Sequence, residues 1–73
     1  MASNSYANIG LVYYRLNNYH KAIDYYNKAL EIKKSIGDRG GESVCYENIG
    51  LVYIELYKQE KKIIIIFKLT KKL

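Results

Sequence analysis

Seventy-three residues form at most one small domain, which leaves no room for most enzyme architectures. Apolar residues make up 49% of the chain, enough for a core, and no apolar run approaches the roughly eighteen residues that span a bilayer. Residues 1–56 carry six basic and six acidic groups, so the whole net charge of +5 lies in 57–73, where six lysines face Glu60. The body therefore exerts no general attraction on nucleic acid. The single Cys45 excludes an internal disulfide, and His20 alone is no ligand set for zinc. Residues 1–10 lack the basic start and apolar stretch of a secretory signal. A cytoplasmic, helix-rich protein is expected.

The first helix is marked by Tyr6, Ile9, Gly10, Tyr13 and Leu16, which fall on one face at helical spacing. Asn17-Asn18 interrupts it. Asn17 tolerates a left-handed backbone that ends a helix, and the side-chain oxygen of Asn18 can cap the next one. Ala22, Ile23, Tyr26, Ala29 and Leu30 line one face of a second helix running to Ile36. Gly37 suits the left-handed position after its end. Asp38 offers an N-cap and a negative charge for a third helix that starts near Gly40-Gly41-Glu42 and runs to Leu56.

The chain repeats itself. Residues 43–56 copy residues 3–16 with nine of fourteen positions identical, including the run Asn-Ile-Gly-Leu-Val-Tyr. The same shift applied to 17–33 leaves only Lys21/Lys61, Ile23/Ile63 and Lys28/Lys68 in common with 57–73. Gly10 and Gly50 recur at one phase, although glycine inside a helix costs about 1 kcal/mol relative to alanine. Close approach of a partner helix explains them, with Ala22 and Ala29 small opposite and Tyr6, Tyr13 and Tyr26 filling the space around.

Tyr6, Ile9, Gly10, Tyr13, Ala22, Tyr26 and Ala29 resemble the signature of the tetratricopeptide repeat. The forty-residue spacing and Ile36-Gly37-Asp38-Arg39-Gly40-Gly41-Glu42 resemble its longer form, that of Leu-Gly-Asn repeat-enriched adaptors and, more distantly, kinesin light chains. The resemblance covers 3–56 and implies an all-α, α-solenoid fragment of about one and a half repeats. Residues 3–36 would be one helical hairpin, 38–56 the first helix of the next, and 57–73 an irregular basic tail. In that tail Lys62 stands where the repeat has the small Ala22, and Leu69 where it has Ala29.

Repeats of this kind receive peptides on the concave surface lined by their first helices, so the resemblance implies a non-catalytic scaffold. Its candidate groove residues are Asn4, Asn8, Leu11, Arg15, Val44, Glu47, Asn48, Leu51 and Glu55. Asn8 and Asn48, forty residues apart, form a short amide ladder able to bind an extended backbone. The other reading is that they bond within or between helices and set the stacking. Ala7, Leu11, Glu47 and Leu51 occupy the places where some relatives carry a lysine and asparagines that clamp a terminal carboxylate, which disfavours that activity.

No catalytic constellation is present, and no cofactor or metal is implied. Gly37, Gly40 and Gly41 follow a helix rather than a strand and lack a Gly-Lys-Ser/Thr, so they are no phosphate loop. The expected partner is a protein or peptide, with self-association through the uncapped repeat as a further expectation; nucleic acid and membrane are disfavoured. The alternative is a small basic factor whose tail binds RNA or anionic lipid. A third expectation is a piece of a longer array without a function of its own. Isoleucine codons ATT read two bases on give TAT, and the repeat places Tyr-Tyr, not Ile65-Ile66, forty residues after Tyr25-Tyr26.

Overall fold

The computed structural model describes residues 2–71, and side chains from residue 5 onward. Its elements are α1 (Ala2–Arg15), α2 (Tyr19–Ser35) and α3 (Arg39–Lys71). Helix α2 lies antiparallel to α1 on one side and to α3 on the other. The three make an elongated body of 56 × 19 × 13 Å.

One corner design is used twice. At the end of α1 the Asn17 and Asn18 amides donate to the Tyr14 and Tyr13 carbonyls at 3.0 and 2.9 Å. At the end of α2 Gly37 and Asp38 donate to Lys34 and Lys33 at 3.2 and 2.9 Å. Each corner turns on one left-handed residue, Asn17 at φ 62° and Gly37 at φ 72°. The following residue then caps the next helix. Asn18 Oδ1 accepts from the Lys21 amide at 3.3 Å, and Asp38 Oδ1 from the Gly41 amide at 2.9 Å.

The third corner does not exist, which corrects the irregular tail expected after Leu56. Residues 57–71 continue α3 as helix without a break. Forty residues after Asn17-Asn18 stand Tyr57-Lys58, which offer neither a side chain tolerant of the left-handed region nor a cap. A left-handed backbone costs an ordinary L-residue about 1–2 kcal/mol. Lys58-Gln59-Glu60-Lys61-Lys62 are good helix formers, so running on is the cheaper path. No described helix is long and apolar enough to cross a membrane.

The core lies on α2. Tyr19, Ala22, Ile23, Tyr26, Ala29 and Leu30 are all buried there, joined by Cys45 and Val52 of α3. On α1 the expected Tyr6 and Tyr13 pack against the core and Gly10 is buried, but two of the five expected positions are not inside. Ala7 and Tyr14 pack against the core, whereas Ile9 is 38% and Leu16 68% exposed. Leu16 falls in the corner, beyond the last turn of α1, and Ile9 sits at the edge of a helix covered from one side only.

Gly10 explains its own phase: a Cβ there would meet Tyr26 ring carbons at 3.0 Å. Its neighbour is thus an aromatic face rather than the small alanines. Tyr26 is 4% exposed and has no room to retreat. At Gly50 a Cβ would meet nothing within 4 Å. The second copy holds the seat without the helix that fills it.

Two outcomes follow from this packing. Gly10→Ala should lower unfolding stability by about 1 kcal/mol in urea titrations, overpacking of about 1–3 outweighing a helix-propensity gain of about 1. Unchanged or higher stability would mean that the Tyr26 ring gives way. At the second corner the Gly41 amide, followed by Lys33 Nζ at 3.4 Å, holds the Asp38 carboxyl below its ordinary 3.8. Its stabilising charge is therefore complete above pH 3.8 and lost as pH falls through the lower folded value. Acid unfolding of Asp38→Asn should lack this component, so that the wild type's advantage over the variant shrinks below that pH.

Candidate functional site

The first helices of the two copies, α1 and the N-terminal half of α3, lie side by side across α2. Between them is a notch of about 60 Å³ lined by Leu11, Tyr14, Tyr26, Asn48 and Leu51. Leu11 comes from α1, Asn48 and Leu51 from α3, and Tyr26 rises from α2 as the floor. Burial, then the neighbouring Tyr14 hydroxyl, pushes the Tyr26 phenol above its ordinary 10.0, so it remains a neutral floor at any physiological pH.

Of the residues expected to line a groove, three meet at this notch: Leu11, Asn48 and Leu51. Leu11 is 39% and Leu51 53% exposed, while Asn48 is half-buried. Asn8, Arg15, Val44 and Glu47 are exposed on the same two helices outside it. Glu55 is half-buried and pairs with Lys58 at 3.6 Å. The side chain of Asn4 lies outside the described residues. Among those residues the amides of Asn8 and Asn48 make no side-chain hydrogen bond, so the stacking of the helices is not set by them.

The tyrosines divide into used and unused sets. Tyr13 stacks on Tyr25 at 5.5 Å and 12°, and Tyr6 lies 6.2 Å from the same ring. Lys28 sits over Tyr6 and Tyr25 at 5.6 and 5.0 Å, and Lys21 over Tyr13 at 5.3 Å. Tyr19 is buried with its hydroxyl donating to Asn17 Oδ1 at 3.0 Å, and Tyr14 lies 5.7 Å from its ring. Tyr14, Tyr19 and Tyr25, off the helical phase of Tyr6, Tyr13 and Tyr26, are therefore packing residues too. Tyr46 and Tyr53, the second-copy counterparts of Tyr6 and Tyr13, are 53% and 55% exposed. The sequence signal for that exposure was Tyr57-Lys58, the missing corner.

The groups considered for chemistry are isolated. Cys45 is buried, and burial raises its thiol above the ordinary 9.0, which suppresses the thiolate. His20 is exposed in the first turn of α2. Among the described residues no cluster of His, Cys, Asp or Glu could hold a metal ion. On the tail, the described lysines fall within about half of the helix circumference, interrupted by the run Ile63, Ile64, Ile65, Ile66 and Phe67, each 50–65% exposed, which goes all the way round. The basic half is thus not a clean face opposed to an apolar one.

The sequence profile of the tetratricopeptide repeat family matches residues 1–68. The chain belongs to that family. Its repeats generally mediate protein–protein interaction, which agrees with a surface of packing tyrosines and exposed apolar side chains. No curated protein and no solved structure matches the chain significantly.

Proposed function

We propose that this tetratricopeptide repeat protein is a non-catalytic, cytoplasmic interaction module that takes a peptide or partner helix on the surface shared by α1 and α3. The observation that carries the reading is the notch where Leu11, Asn48 and Leu51 meet over Tyr14 and Tyr26. An apolar side chain of the ligand enters the notch and covers the exposed leucines. Asn48 at its rim offers a donor and an acceptor to the ligand's backbone. Asn8, three residues before Leu11 on the groove's other wall, supplies a second amide, and Arg15, Val44, Glu47 and Glu55 flank the path, with Asn4 a further candidate.

The test is a selection of random peptides displayed on phage against the full chain. A selected peptide should bind Asn48→Ala and Leu51→Asp about tenfold more weakly, the loss of a hydrogen bond or of a filled apolar notch. The far-ultraviolet spectra of both variants should stay helical. Failure to select any peptide, or equal binding by both variants, would sink the reading.

A further inference from the structure

The face of α3 that carries Tyr46, Gly50 and Tyr53 is separate from the groove and from the side packed on α2. In the first copy the equivalent face, Tyr6, Gly10 and Tyr13, is filled. Tyr26 sits on Gly10, Tyr25 stacks on Tyr13, and Lys28 and Lys21 lie over Tyr6 and Tyr13. In the second copy Lys34 lies over the Tyr46 ring at 5.7 Å, but a Cβ at Gly50 would meet nothing within 4 Å and Tyr53 is 55% exposed, yet the chain holds the matching segment. Ile65 and Ile66 stand forty residues after Tyr25 and Tyr26. All three positions that the tail retains from the first repeat belong to that contact helix: Lys61, Ile63 and Lys68 answer Lys21, Ile23 and Lys28.

This segment cannot reach its own seat. Gly50 and Ile66 lie on one continuous helix, and sixteen residues of helix separate them by about 24 Å. We infer that two copies of the chain exchange tails, residues 58–71 of each lying antiparallel along the Tyr46–Gly50–Tyr53 face of the other. The hinge is the stretch at Tyr57-Lys58, straightened because it has no corner residues. A helical hairpin whose turn is lost regains its contacts from a second copy, which is how domain swapping makes symmetric dimers.

Charge agrees with the antiparallel direction. Residues 39–56 carry Glu42, Glu47 and Glu55 against Arg39, a net charge of −2. Residues 57–71 carry Lys58, Lys61, Lys62, Lys68 and Lys71 against Glu60, a net charge of +4. Antiparallel exchange sets each acidic half against a basic one, whereas parallel pairing sets like against like. Lys61 of one copy then covers Tyr53 of the other, repeating the Lys21–Tyr13 contact of the first repeat, and Lys68 joins Lys34 beside Tyr46. Lys61 now lies over its own Tyr57 at 5.6 Å, a contact it exchanges for the new one. Lys62, in place of Ala22, stands twelve residues after Gly50 and so about a third of a turn round α3 from that face, which leaves its ammonium in water in the exchanged pair.

Sedimentation equilibrium of the full chain should give a mass of twice 8.5 kDa. Gly50→Leu, at a position where a Cβ meets nothing within 4 Å in the single chain, should weaken the dimer about tenfold by filling the seat. Tyr57→Asn with Lys58→Asn restores the corner and should give a folded monomer. Copies carrying Ser43→Cys, mixed with copies carrying Lys71→Cys, should form the mixed inter-chain disulfide in preference to either like pair. A chain that stays monomeric, a dimer indifferent to Gly50→Leu, or preferential joining of Ser43→Cys to itself would each overturn the exchange. Binding of a foreign helix by a monomeric chain would assign the seat to another occupant and overturn it as well.

Discussion

Everything in this molecule depends on a two-residue corner: a left-handed residue followed by a side chain that caps the next helix. Asn17-Asn18 and Gly37-Asp38 each reverse the chain, satisfying the last carbonyls of one helix and the first amides of the next. The reversal brings apolar faces together that neither helix could bury alone. Where Tyr57-Lys58 replaces the pair, the backbone has no inexpensive way to turn. A single helix of 33 residues results.

The second dependency is the fit of an aromatic ring into a glycine gap. Gly10 lets Tyr26 lie against the α1 backbone, which fixes how close α1 and α2 come and so sets the position of α1 beside α3. The notch at Leu11, Asn48 and Leu51 exists because Tyr26 fills the space beneath it. Groove and core are thus one construction, and a change that lifts Tyr26 disturbs both. Repeat units stabilise one another mainly through neighbouring faces, so the exposed Tyr46 and Tyr53 and the open position at Gly50 leave apolar surface uncovered in the single chain.

Much of the fold was legible in the residues, and the part that was not has a definite cause. The two corners could be read because Asn, Gly and Asp are chosen for backbone conformations and caps that few residues supply. The face of α2 was legible because that helix is covered from both sides, giving a full apolar stripe from Tyr19 to Leu30. Helix α1 is covered from one side, so its pattern was ambiguous by about a turn's edge, and Leu16 and Ile9 were placed inside when Ala7 and Tyr14 are. The tail misled because its run of isoleucines has no helical period. What decided its structure was the absence of a breaker at 57–58, a signal carried by what is missing. At the groove, repeat translation located Leu11, Asn48 and Leu51 together but made Asn8 and Asn48 equivalent. They are not, since Asn48 is half-buried at the notch beside Leu11 and Tyr26 whereas Asn8 is exposed outside it.

The direct measurement is the distance from the start to the end of α3 within one chain. Spin labels at Ser43→Cys and Lys68→Cys, in a Cys45→Ala background, would be diluted with unlabelled chain so that only intrachain pairs are read. A continuous helix gives about 37 Å for those twenty-five residues. A turn at Tyr57-Lys58 would fold the segments into a packed pair and bring the labels to the order of 10 Å, contradicting the merged helix and everything built on it.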